Sequence, residues 1–160
     1  MTAVDSAQAI ATAAHFTRRF RAALASLAPY HPFDARCVPA VDSALPDATN
    51  AFLQRFENLV SHIQDQVWRR VVVDEGYRGP TELSRRGIVD LMEKIGLLSA
   101  EQAFREVVRV RNRLAHLYPE EPARQAVRLN EAYGAAALPL DCVARAERWL
   151  ASRLTPPASP

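Results

Sequence analysis

The string Arg111-Asn112-Arg113-Leu114-Ala115-His116-Leu117-Tyr118 puts a guanidinium, a carboxamide, an imidazole and a phenol within two helical turns of one another. Histidine titrates near neutrality, so it can take a proton from a ribose 2′-hydroxyl or return one to a leaving oxygen. Arginine cannot act as a base, but it can hold a phosphate and offset charge developing on its oxygens. Together they suffice for metal-free cleavage of a phosphodiester. One histidine does not easily serve as both base and acid in a single turnover, and a two-fold dimer that brings two copies together would remove that difficulty. A plainer reading stands beside this one: His116 interacts with the dipole at a helix C-terminus, and Arg109 and Arg113 are solvated.

On a helix, Arg111 and His116 lie about 140° apart and share an edge rather than a face. Tyr118 returns to the Arg111 side. Phe104, Val107, Val108 and Ala115 form an apolar stripe with Arg111 in its middle. An arginine there must be paired to a carboxylate, face a cleft, or sit at a subunit interface, because a buried unpaired guanidinium is strongly destabilising. Glu57 is one possible partner. The opposite face reads Arg105, Arg109, Asn112, Arg113 and His116, a basic stripe ending in an imidazole.

Other candidate sites are weaker. Glu57, His62 and Asp65 do not share one tight helical face, so no metal site is expected. His15 reads as a helix-surface residue, and His31 has no obvious partner. Trp68 and Trp149 read as packing anchors, since neither lies beside the basic stripe. No glycine-rich phosphate loop and no G-x-S-x-G string occurs. Cys37 and Cys142 are far apart and lack metal or disulfide-framework spacing. No cofactor is expected.

The elements that must carry these residues are helical. At 160 residues, 49% hydrophobic and 24% charged, the chain is long enough for one compact domain. Only 5 glycines argue against many tight hairpins. The 20 basic and 18 acidic residues nearly balance, and only one of the former, Lys94, is a lysine. Ile10, Ala13, Phe16, Phe20, Leu24 and Leu27 mark one helical face in the stretch from Asp5 to Leu27. Four prolines between Ala28 and Pro46 predict an irregular connection. Asp47 or Thr49 opens a long helix with Phe52, Phe56, Leu59, Ile63, Val67 and Val71 inward, ended by Gly76 and Gly79-Pro80.

Thr81 can cap a third helix that carries Ile88, Leu91, Met92 and Ile95 inward to Gly96. Ser99 with Gln102 has capping-box spacing for a fourth, running to about Leu117 and ended by Pro119 and Pro122. Helical patterns follow at 123–133 and 140–154. The expectation is an all-α antiparallel helical bundle over residues 49–154, preceded by an N-terminal helical arm and proline-rich connection (1–48) and followed by a disordered tail (155–160). The N-terminus reverses the charge order of a secretory signal and no apolar run approaches a membrane span, so a cytoplasmic chain without a membrane partner is expected.

The string from Arg111 to Tyr118 fits R-N-x-x-x-H-x-Y and resembles the HEPN superfamily, most closely the HepT-like toxins paired with minimal nucleotidyltransferases. The resemblance implies a homodimeric helical bundle with the motif in a shared cleft. It further implies metal-independent RNA cleavage, with Arg111 on the scissile phosphate, His116 in proton transfer and Asn112 orienting either. Arg105, Arg109 and Arg113 would hold substrate. Tyr118 matches the tyrosine to which a cognate nucleotidyltransferase antitoxin transfers AMP, silencing the toxin. The stretch Arg55-Phe56-Glu57-Asn58 also resembles nucleotidyltransferase substrate-binding proteins, a non-catalytic alternative in which the chain presents nucleotide or substrate to a separate enzyme. Pro119 and Glu120-Glu121 depart from what commonly follows the family's tyrosine. A third reading is a helical interaction domain in which Arg111 closes a buried ion pair.

Overall fold

The computed structural model describes residues 3–36, 45–77, 83–114 and 122–155. Every regular element among them is helical: α1 (Ala3–Leu27), α2 (Leu45–His62), a π-helical turn (Ile63–Val67), α3 (Trp68–Asp74), α4 (Arg85–Lys94), α5 (Glu101–Leu114), α6 (Pro122–Gly134) and α7 (Ala137–Leu154). A 3-10 turn, Ala28–Tyr30, follows α1. The chain is an all-α helical bundle.

From Leu45 to Asp74 the chain is one continuous rod broken in character only by the π turn. The apolar spacing accounts for that turn. Leu59, Ile63, Val67 and Val71 recur every fourth residue and all are buried. A plain α-helix has 3.6 residues per turn, so three such steps would carry the buried face round by about 120°. The wider π turn absorbs one extra residue and returns Trp68, Val71 and Val72 to the core. Trp68 is fully buried there, its ring 4.5 Å from that of Phe104 on α5.

The first helix is not an arm. Ala9, Ile10, Ala13, Phe20, Ala23 and Leu27 are buried in the same core cluster as the faces of α2, α5 and α7. Phe20 stacks on Phe52 with ring centroids 5.3 Å apart. Residues 1–48 and 49–154 therefore do not divide the molecule. An aromatic face on α1 has nowhere to be buried except against the aromatic face of α2, and α1 packs along α2 more extensively than along any other element. After α1, Phe33 is fixed to α6 by two hydrogen bonds. Its N–H donates to Asn130 Oδ1 at 2.9 Å, and Asn130 Nδ2 donates to its carbonyl at 2.8 Å.

Several helix starts differ from expectation: α2 begins at Leu45, so Asp47 and Thr49 lie within it and do not cap it, and α7 begins at Ala137, ahead of residue 140. The cap of α4 is Ser84, whose Oγ accepts from the Gly87 N–H at 3.1 Å; Thr81 lies outside the described residues. At α5 the Glu101 N–H donates to Glu93 Oε1 at 3.1 Å, so a carboxylate from the preceding helix does what the Ser99–Gln102 box was expected to do. The left-handed residue after α4 is Gly96, with φ +82°, as the sequence predicts. Pro139 is buried in the first turn of α7, where its missing N–H breaks no intrahelical bond. No helix of the described residues is long and apolar enough to cross a membrane.

Candidate functional site

Helix α5 presents Arg105, Arg109, Arg111, Asn112 and Arg113, and ends at Leu114 among the described residues. Ala115, His116, Leu117, Tyr118 and Pro119 lie outside them, as do Cys37 and residues 156–160 of the expected tail. The buried stripe of α5 is Phe104, Val107, Val110 and Leu114. Val108 is only partly buried. The face is thus turned by a fraction of a residue from the predicted one, because Val110 and Leu114 fill the core better than an arginine can. Arg111 moves from the centre of the stripe to its margin.

At that margin Arg111 is half-buried, and its Nη1 donates to Ser61 Oγ on α2 at 2.9 Å. Its Nε is buried without a hydrogen-bond partner. The predicted partner, Glu57, stands one turn earlier on α2 and makes no ion pair with Arg111 among the described residues. The other arginines of α5 differ. Arg105 pairs with Glu101 one turn earlier and reaches Asp90 on α4 at 3.6 Å. Arg109 pairs with Glu106, and Arg113 with Glu131 of α6 at 3.2 Å. Asn112 is exposed. The basic stripe is therefore laced with carboxylates, while Arg111 alone among the described arginines of α5 has only a neutral partner.

The remaining predicted residues are placed as follows. His62 hydrogen-bonds the Ala9 carbonyl through Nε2 at 2.8 Å and meets Phe16 edge-on at 5.2 Å. Asp65 lies near Arg69 and Arg85, at 3.9 and 3.5 Å. No cluster of metal-binding side chains occurs among the described residues. His15 is exposed, and His31 stacks on Tyr133 with centroids 4.4 Å apart. Trp149 donates to Glu75 Oε1 at 2.8 Å, with the Arg153 guanidinium over its ring at 4.5 Å. Both tryptophans are structural.

A second feature includes Arg55 and Asn58 of the stretch quoted for the substrate-binding resemblance, but its α1 side was not singled out from the sequence. A cleft of about 200 Å³ opens between α1 and α2, lined by Phe16, Arg19, Ala51, Gln54, Arg55 and Asn58. Arg55 Nη1 donates to the Arg19 carbonyl at 3.1 Å, which leans its guanidinium toward α1. The signal that would have found it is a gap in the sequence: no carboxylate occurs between Asp5 and Asp34.

No protein-family model, curated protein or solved structure matches the chain.

Proposed function

We propose that the chain is a HEPN-type endoribonuclease, the toxin of a pair with a minimal nucleotidyltransferase, acting as a homodimer. The observation that carries this reading is Arg111: a half-buried cation with a hydroxyl for its partner, at the end of α5, directly before the segment that bears His116 and Tyr118. A guanidinium neutralised by a carboxylate binds phosphate poorly. One steadied by Ser61 keeps its full charge for an incoming anion.

In this mechanism Arg111 holds the scissile phosphate and Asn112 orients it. His116 removes the proton of the 2′-hydroxyl, whose oxygen attacks phosphorus. The P–O5′ bond breaks, the 5′-oxygen takes a proton from the second imidazole of the dimer, and a 2′,3′-cyclic phosphate and a 5′-hydroxyl remain. Arg109 and Arg113 exchange exposed carboxylates for substrate phosphates, which weakens their hold on substrate by only the roughly 0–1 kcal/mol that an exposed ion pair contributes, while the partly buried Arg105–Glu101 pair gives way less readily. AMP on Tyr118 would place a bulky anion beside Arg111 and silence the site.

Purified protein in chelator is expected to cleave RNA to cyclic-phosphate ends. His116→Ala and Arg111→Gln should each lower the rate by about 10²-fold or more. Ser61→Ala, which frees the guanidinium, should cost roughly fivefold with the fold intact by circular dichroism. Normal cleavage by His116→Ala overturns the assignment. The carboxylate lacing of Arg105, Arg109 and Arg113 favours the non-catalytic alternative, a partner presenting nucleotide to a separate nucleotidyltransferase. That reading predicts nucleotide binding with no cleavage by the wild-type chain.

A further inference from the structure

The arginines of this molecule are sorted. Those on α5 other than Arg111 are matched to Glu101, Asp90, Glu106 and Glu131. Those beside the α1–α2 cleft are not. Among the described residues, neither Arg19 nor Arg55 makes an ion pair, and α1 carries Arg18 and Arg21 on adjoining turns with no acid after Asp5. The cleft adds two carboxamides, Gln54 and Asn58, which can donate to anionic oxygens, and an aromatic wall, Phe16. Two forked cations, amide donors and a ring describe a site for a phosphate that bears a planar base.

Arg111 is reached from the cleft along α2, one turn beyond its lining residue Asn58. Gln54, Asn58 and Ser61 follow one another at helical spacing on one side of the helix, and Ser61 is the residue that holds Arg111. Arg55 to Ser61 is a rise of about 9 Å, which a short stretch of single strand can bridge. We infer that the α1–α2 cleft is a second phosphate site, where Arg19 and Arg55 hold a phosphodiester of single-stranded RNA whose neighbouring phosphate lies on Arg111. The anion chemistry stands on the cleft alone; the choice of RNA as its carrier rests on the reading of Arg111 given above.

The test uses the full chain carrying His116→Ala, so that a labelled oligouridine stays intact, with binding followed by fluorescence anisotropy across a salt series. Arg19→Gln and Arg55→Gln should each weaken binding about five- to tenfold and lower the slope of log K against log salt by about 0.7. Arg86→Gln, an exposed arginine on α4 with the same loss of charge, should change binding less than twofold. Equal weakening by all three, or none by the first two, overturns the site. Thermal stabilisation by inorganic phosphate that Arg19→Gln abolishes, in a protein that binds no oligouridine, overturns the RNA assignment in favour of a small phosphate ligand.

Cleavage by the chain with His116 restored is scored separately. Binding that depends on Arg19 in a protein without cleavage keeps the cleft and removes the nuclease. Cleavage with a KM unmoved by Arg19→Gln and Arg55→Gln does the reverse.

Discussion

At the scale of single residues, partner chemistry separates side chains that look alike in sequence. Arg105, Arg109, Arg111 and Arg113 are one run of cations on paper. Three of them meet carboxylates, and one meets a hydroxyl. The spacing of R-N-x-x-x-H-x-Y singles out the same arginine, so its difference from its neighbours was legible. Its partner was not, because Ser61 comes from a helix 50 residues away in sequence, and nothing local specifies that register. Cys142 illustrates the same dependence on packing. Buried on α7, its thiol is pushed up to about 12, first by desolvation and then by the neighbouring Asp141 carboxylate.

The neutral thiol is therefore favoured in the folded chain. That contribution is whole below the ordinary thiol value of 9.0 and is lost as pH rises from there toward 12. The melting temperature of the wild type should fall relative to Cys142→Ala as pH is raised from 8 to 10.5 or so, and iodoacetamide should spare Cys142 until the chain is unfolded. Rapid native alkylation would contradict the burial.

At the scale of elements, helix existence and the glycine stop at Gly96 were readable from periodicity, whereas Pro122, read as a helix stop, opens α6, and Pro139 in the first turn of α7 went unread. The phase of α5 was not. The sets Phe104-Val107-Val108-Arg111 and Phe104-Val107-Val110-Leu114 both have helical spacing, and only the neighbouring helices choose between them. The caps from Ser84 and Glu93 escaped for a related reason, since the second is supplied by a different helix.

The π turn was present in the four-residue spacing of Leu59, Ile63, Val67 and Val71, though read there as ordinary helix. Because a π turn is an α-helix with one residue added, deleting the exposed Gln66 should leave the faces before and after it in register. We expect that deletion to lower the melting temperature by only about 5–10 °C, and deletion of Gln54 from regular helix, which rotates everything downstream by about 100°, to abolish the cooperative transition. Equal damage from the two would show that the turn is not an insertion.

At the scale of the whole molecule, α1 completes the core. Phe20 and Leu27 are fully buried, and the rings of Phe52 and Phe56 both pack against Phe20. A chain lacking residues 1–27 should show no cooperative unfolding by calorimetry and should lose its near-ultraviolet circular dichroism. A sharp transition in that truncation would restore the arm as an appendage. The boundary at residue 48 was misjudged because proline-rich connections separate domains and connect elements of one domain alike, and the difference lies in where the apolar faces find each other.

The same sorting of arginines that marks the cleft has a kinetic side. A formal charge of +2 suggests a weakly attractive particle. Three of the four α5 cations are matched by carboxylates, whereas α1 carries Arg18, Arg19 and Arg21 with no acid after Asp5, so positive charge is concentrated along α1. A polyanion drifting toward this molecule would be turned before contact, so the rate of encounter, more than the lifetime of the complex, would carry the dependence on ionic strength.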